Sequence, residues 1–74
     1  MTVYYTIEID DMYKTNEVID VLTKRLNVDF SYKVTAPKSG YTGHIGIDII
    51  INKRTDICID SFKNMENIVY AVEE

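Results

Sequence analysis

Isoleucine at every second position gives residues 43–52 the strongest β-strand signal in the chain. Side chains point alternately to opposite faces of a strand, so every second residue shares one face. The residues of the apolar face are Ile45, Ile47, Ile49 and Ile51. We therefore expect the hydrophobic core to assemble against this face.

Two regular patterns precede this strand. Residues 2–10 alternate in the same way, which predicts a half-buried first strand with its polar side chains on the opposite face. Residues 15–26 instead place apolar side chains three and four positions apart, which predicts an amphipathic helix. Thr15 or Asn16 is suited to cap its start, because each offers a side-chain oxygen to the free amides of the first turn.

The alternation resumes over residues 28–35 and predicts another strand. The residues expected to face the core there are Val28, Phe30, Tyr32 and Val34. Residues 36–43 contain the proline and two of the glycines, so they are predicted to form a loop. Residues 52–55 are short and polar, which indicates a tight turn.

The last part of the chain fits two different structures. In the preferred one, residues 56–60 form a strand and Ser61 caps a final helix, which gives the order β-α-β-β-β-α. In the alternative, residues 56–65 form a helix and residues 68–72 form a last strand, which gives β-α-β-β-α-β. The β-branched residues of the Ile-Cys-Ile segment favour the first order, and those between positions 68 and 72 favour the second.

Both orders predict one compact α+β domain over residues 1–74, built in two layers. A mainly antiparallel sheet packs two helices on one face and leaves the other face to solvent or a partner. The alternative order resembles the ferredoxin-like arrangement of ACT domains, which are small amino-acid-sensing modules. This topological resemblance implies a regulatory domain that binds a small molecule as a dimer.

The charge balance and the cysteine count narrow the class of protein. Twelve acidic residues against eight basic ones give a net charge of −4, which argues against nucleic-acid binding because phosphate backbones require clustered cations. Cys58 is the only cysteine, so a disulfide within the chain is excluded and a cytoplasmic location is expected. Apolar runs stay well below the roughly 18 residues of a membrane span, so no membrane association is expected.

The residue types needed for catalysis are scarce, and we expect a protein without enzymatic activity. His44 and Cys58 are the single histidine and cysteine, and the flanking Asp56 and Asp60 disfavour a reactive thiolate. His44 and Asp48 lie four residues apart on a predicted strand, which separates them by roughly 13 Å and excludes binding of one metal ion by both. We therefore expect neither a metal site nor a cofactor.

The polar faces of the predicted strands carry mainly carboxylates, with Lys33 as the single cation. A tyrosine lies on the same face and another at the tip of the loop, and exposed tyrosine is a favoured contact residue at interfaces. The expected partner-binding residues are Tyr4, Glu8, Asp10, Asp29, Tyr41, Asp48 and Asp60. A solvated acidic face that discourages aggregation of exposed strands explains the same pattern without a partner.

These features favour a small acidic, non-enzymatic module that binds a protein with a basic surface and inhibits or regulates it. A phage or mobile-element inhibitor of a nucleic-acid-handling protein is the concrete form of this hypothesis. The alternative function is that of an ACT-like domain that senses a small molecule as a homodimer.

Overall fold

The computed structural model describes residues 2–26, 29–51 and 60–74. Its elements in chain order are β1 (Val3–Ile9), a short 3-10 turn (Met12–Lys14), α1 (Thr15–Leu26), β2 (Phe30–Thr35), β3 (Ile45–Ile51), α2 (Asp60–Lys63) and β4 (Ile68–Glu73). The helix predicted over residues 15–26 is confirmed as α1. The three strands predicted before residue 52 are β1, β2 and β3. Among the described residues α1 is the one long helix, because α2 is a single turn of four residues.

The strands form one antiparallel sheet in the order β2-β3-β1-β4. β1 and β3 are its central strands, and they pair without interruption from Val3↔Ile51 to Ile9↔Ile45. This register aligns the alternating apolar residues of both strands on one face, since directly opposite side chains share a face. An α+β fold with one largely covered sheet face follows.

The hydrophobic core lies between this sheet face and α1. The core residues of the central strands are Tyr5, Ile7, Ile9, Ile47, Ile49 and Ile51, all almost fully buried. α1 covers them with the stripe Val18, Leu22 and Leu26, which recurs at four-residue spacing. Phe62 closes the core from α2, and its ring centroid lies 4.8 Å from that of Tyr5.

The start of α1 differs from the predicted cap. The 3-10 turn precedes the helix directly, and the Asp11 side chain caps that turn by accepting a hydrogen bond from the Tyr13 amide at 3.0 Å. Thr15 is already helical, and its hydroxyl donates to the Met12 carbonyl at 2.6 Å. The chain thus turns from β1 into α1 in two hydrogen-bonded steps.

β4 corrects the preferred order of elements. Ile68–Glu73 is a strand antiparallel to β1, where the preferred order placed a helix beginning at Ser61. The β-branched residues decide the outcome, because Ile68 is buried and pairs with Ile9 at the edge of the core. A sharp turn precedes it, with Asn67 in the left-handed region at φ 73°. The described elements follow the alternative order at this end.

The strand predicted over residues 56–60 falls mostly outside the described residues. Its last residue, Asp60, begins α2. Residues 52–59, with the predicted turn and Cys58, also lie outside the described part. Of the two helices expected on one face of the sheet, the second is therefore represented in the described part by the four residues of α2.

The predicted burial of β2 is wrong for two of its residues. Tyr32 is 46% exposed and Val34 is 47% exposed, although both lie on the core side of the sheet by their pairing with Ile49 and Ile47. The reason is the position of β2 at the sheet edge, where the alternation specifies which face a side chain occupies but not whether anything covers it.

Gly46 allows the chain after β2 to cross close to β3 on the face away from α1. A Cβ atom at this position would lie 2.6 Å from Thr35 Oγ1 and 2.7 Å from the backbone oxygen of Ala36. A Cβ atom in a folded protein essentially never lies so close to another heavy atom, so a side chain here would displace the start of the loop. The loop path thus depends on glycine at this strand position.

We expect Gly46→Ala to destabilise the fold by about 1–3 kcal/mol, because the added methyl group overpacks against backbone. Urea unfolding followed by circular dichroism measures the change. Ser31→Ala, at an exposed position of the neighbouring strand, is the control and should change stability by less than about 0.5 kcal/mol. Equal stabilities for Gly46→Ala and the native chain would contradict the close approach.

Candidate functional site

A loop folds back over the open face of the sheet, which is the face opposite α1. Residues 36–44 connect β2 to β3, and their return is held by the carboxylate of Glu8 in β1. Ser39 donates its amide to Glu8 Oε1 at 2.9 Å and its hydroxyl to Oε2 at 2.6 Å. His44 Nδ1 lies 2.6 Å from the same Oε2. We call Glu8, Ser39 and His44 the Glu8 clasp.

The base of the loop is also tied to the 3-10 turn that follows β1. The Met12 amide donates to the Gly43 carbonyl at 2.8 Å. Gly43 adopts a φ of 87°, a backbone conformation in the left-handed region that glycine accepts without strain. The loop is therefore fastened at its middle by Ser39 and at its end by both His44 and Gly43.

The electrostatics of the clasp keep Glu8 ionised. Hydrogen bonds from the Ser39 hydroxyl, then from His44 and the Ser39 amide, lower the pKa of Glu8 from 4.5 to about 2, against a smaller opposing effect of burial. An ionised carboxylate can only accept hydrogen bonds, so His44 Nδ1 must carry the hydrogen that it shares with Oε2. The clasp thus fixes the protonated nitrogen of His44.

The clasp is not arranged as a nucleophile and a base. The Ser39 hydroxyl donates to Glu8 and accepts from the Tyr41 amide at 3.2 Å, so its hydrogen is directed away from His44. Nucleophilic catalysis by serine needs the opposite arrangement, with the base accepting from the hydroxyl. A pairing of His44 with Cys58 lies outside the described residues. Among those residues, no three potential metal ligands are grouped together.

A cleft of about 570 Å³ lies between the loop and β4. Its lining residues are Glu8, Lys38, Ser39, Tyr41, His44, Val69 and Tyr70. The Tyr41 ring stands edge-on to His44, with ring centroids 5.3 Å apart, yet the residue is 67% exposed. The cleft therefore exposes the Tyr41 ring, while the polar groups of Glu8, Ser39 and His44 that line it already form hydrogen bonds with one another.

A second polar cluster lies at the centre of the open face. It consists of Thr6, Asp48 and Glu74, and we call it the Thr6 cluster. Thr6 Oγ1 is 2.7 Å from Glu74 Oε1 and 3.0 Å from Asp48 Oδ1. A threonine hydroxyl carries one hydrogen, so it can serve only one of the two carboxylates at a time. Lys33 is the cross-strand neighbour of Asp48 on the same face. The cluster holds two acidic side chains side by side.

Two predicted site residues have different surroundings from those expected. Glu8 lies on the open face, as its alternation indicated, but it is only 3% exposed because the loop covers it. The expectation of a solvent-facing carboxylate at this position is therefore wrong. Asp60 begins α2 instead of ending a strand, and its side chain lies outside the described part of the chain.

The other predicted residues lie at or near the surface. Tyr4 is exposed on the open face, Asp48 is half-buried in the Thr6 cluster, and Asp29 is exposed just before β2. Asp10 is exposed beyond the end of β1, where it accepts a hydrogen bond from Asn67 Nδ2 at 3.0 Å. Tyr41 borders the cleft. The structure thus gathers Tyr4 and Asp48 on one face, while Tyr41 lies beside His44 at the cleft.

The site also contains residues that were not predicted as contact residues, among them Ser39, His44, Tyr70 and Glu74. Periodicity does place His44 on the same face as Glu8. The pairing Ile9↔Ile45 then brings His44 to the end of β1. This proximity follows from the strand order, which the sequence alone does not give. Glu74 and Tyr70 reach the open face because the last element is a strand.

Comparisons with protein-family models, with curated proteins and with solved structures found no match. In the part of the chain that the structure describes, no helix has the length and apolar character to cross a bilayer. The function is therefore argued from the geometry of this chain.

Glu8→Gln should make stability less dependent on pH between about 4.5 and 2. The folded pKa of Glu8 is depressed, so its stabilising contribution is complete above the unfolded value of 4.5 and is lost as pH falls towards about 2. Urea unfolding of both chains between pH 7 and pH 2 measures the difference, which should be largest at neutral pH and narrow on acidification.

Glu66→Gln is the matched control, because Glu66 is an exposed carboxylate in the turn before β4. Its pH profile should follow that of the native chain. A stability difference between Glu8→Gln and the native chain that stays constant across the range would show that the clasp does not depend on the ionised carboxylate.

Proposed function

We propose that this chain is a small, non-enzymatic protein-binding module that docks its open sheet face on a partner with a basic surface. The observation that carries the proposal is the Thr6 cluster, where Asp48 and Glu74 are held next to each other on an exposed sheet face. Adjacent carboxylates create a local negative potential stronger than the net charge alone indicates, and such patches steer association with positive surfaces.

Exposed tyrosines surround this acidic pair. Tyr4 and Tyr70 lie on the open face at 49% and 42% exposure, and Tyr41 borders the adjoining cleft. Tyrosine buries a large apolar ring and offers a hydroxyl at its tip, which suits it to be a central contact at an interface. The combination of aromatic contact area and acidic charge supports a partner rich in Lys or Arg.

Inhibition follows from this docking mode if the basic surface of the partner is its nucleic-acid-binding surface. The module would then occupy the cations that otherwise contact phosphates. A phage or mobile-element inhibitor is the biological form of this proposal, and a cytoplasmic location fits it. Direct nucleic-acid binding is not part of it, because Lys33 is the one cation among the open-face residues of the described strands.

A second candidate function is a small-molecule sensor of the ACT-like type. The order β1-α1-β2-β3-α2-β4 and the strand order β2-β3-β1-β4 favour it, because they correspond to the ferredoxin-like arrangement that those domains resemble. This candidate requires a dimer with a ligand at the dimer seam. A thermal-shift screen with amino acids and nucleotides tests it, and a flat response would remove it.

Neutralising the acidic pair should weaken partner binding. We expect Asp48→Asn/Glu74→Gln to elute from an immobilised basic partner at lower salt than the native chain, with affinity reduced at least about tenfold. The partner is captured from lysate on the native chain, released with a salt step and identified by mass spectrometry. Titration by isothermal calorimetry at two salt concentrations then gives the affinities.

Asp20→Asn/Glu66→Gln is the control with the same change in net charge. Both residues are exposed and lie on α1 and in the turn before β4, away from the open face. This variant should bind as the native chain does. Equal losses in the two double variants would assign the effect to net charge and would contradict docking through the open face.

The tyrosines give an independent test of the same surface. We expect Tyr41→Ala and Tyr70→Ala each to cost about 1–3 kcal/mol of binding free energy to the captured partner, because interface tyrosines are frequent hot spots. Tyr13→Ala is the control, since Tyr13 is 88% exposed on the 3-10 turn. Loss of binding in the control, or none in the other two, would place the interface elsewhere.

A further inference from the structure

The sheet has two free edges in the described structure, and they differ in how they are protected. Natural sheets guard an edge strand with bulges, charges or proline, because its outward backbone groups can pair with another strand. At β4, Glu8 and Ile9 pair with Tyr70 and Ile68, so Val69 is the extra residue of a β-bulge. β2 pairs with β3 in uninterrupted register over its whole length, so its edge has no bulge, and Lys33 is its one charged residue.

The regular edge also carries exposed apolar side chains. Tyr32 and Val34 are each nearly half exposed, and Phe30 beside them is half-buried against the core. All three share the face that carries the core on the central strands. A strand added to this edge would cover these side chains and continue the hydrophobic layer outward.

We propose that β2 pairs antiparallel with β2 of a second copy of this chain, about a two-fold axis that passes through Tyr32. In this register Tyr32 lies opposite Tyr32 of the other copy, and Phe30 lies opposite Val34. The apolar side chains of both edges then form one continuous row on the core side. If the register of the two β2 strands shifted by a single residue, the core-face side chains of one copy would continue the open face of the other copy.

The charges near β2 select this register. Lys33 faces Ser31 of the other copy, and Asp29 of the other copy is its diagonal neighbour, a distance within reach of a long side chain. Because of the two-fold axis, this attraction occurs twice. Moving the axis to Lys33 would place two lysines directly opposite each other, which is destabilising. Moving it to Ser31 would leave Val34 unpaired by any strand residue of β2.

The dimer would place the open faces of the two copies side by side on one eight-stranded sheet. It goes beyond the docking function and does not depend on it, since the residues at the β2 edge differ from the acidic pair and the tyrosines of the cleft. The second candidate function also requires a dimer, with a ligand at its seam. The partner surface would then meet two copies of the Thr6 cluster related by symmetry.

Light scattering coupled to size exclusion tests the dimer with the full chain. We expect the native chain to have twice the mass of one chain. Tyr32→Lys, which brings two ammonium groups together across the axis, should raise the dissociation constant at least about tenfold. Val69→Lys is the control, because it puts the same charge at an exposed apolar position on the opposite edge. It should remain dimeric.

Disulfide trapping tests the register. In a Cys58→Ser background, Tyr32→Cys should form a covalent dimer under mild oxidation faster than Ser31→Cys or Lys33→Cys, because only position 32 faces itself across the axis. A native chain that stays monomeric up to about 1 mM overturns the proposal. Faster trapping at position 31 or 33, or dissociation by Val69→Lys with Tyr32→Lys still dimeric, overturns it as well.

The two proposals fail independently. Asp48→Asn/Glu74→Gln should remain dimeric, because neither residue belongs to β2. A dimer with no basic partner would leave the β2 pairing in place and remove the docking function. A monomer that still binds the partner through its acidic pair would remove the β2 pairing and leave the docking function in place.

Discussion

The antiparallel pairing of β1 with β3 is the interaction on which the other features depend. Seven consecutive residue pairs join these strands, and their register lines up the apolar residues on one face and the polar ones on the other. That alignment gives α1 a surface to cover. It also brings Glu8 next to Gly46 and Thr6 next to Asp48, so both polar clusters on the open face arise from the same register.

The sequence predicted the parts of the fold in which local preference and burial agree. The alternation in β1 and β3 and the apolar stripe of α1 each point to one structure, and each appears. The end of the chain was harder, because Phe62, Met65 and Val69 are spaced as on a helix. Pairing of Ile68 with β1 outweighs that spacing. Strand pairing joins residues far apart in the sequence, so a local pattern of apolar residues does not reveal it.

The same limit explains the candidate site. Alternation placed Glu8 on the open face but could not show that residues 36–44 would return over it. The close approach at Gly46 brings the start of the loop, at Thr35 and Ala36, against β3. The hydrogen bonds from Ser39 and His44 to Glu8 join residues more than thirty positions apart. A buried carboxylate needs such partners, so Glu8 became part of the scaffold, while Asp48, in the next pair of residues along the strands, stayed partly exposed.

The contact between Thr6 and Glu74 joins residues 68 positions apart. Loops of this length close late in folding, because the entropy of ordering the chain is lost before the distant contacts compensate for it. The acidic pair therefore assembles only when both ends of the chain have reached the sheet. A partially folded chain, with β1 and β3 paired but β4 still free, would display the hydrophobic core without the surface that we assign to recognition. Recognition would then distinguish finished molecules from nascent or damaged ones.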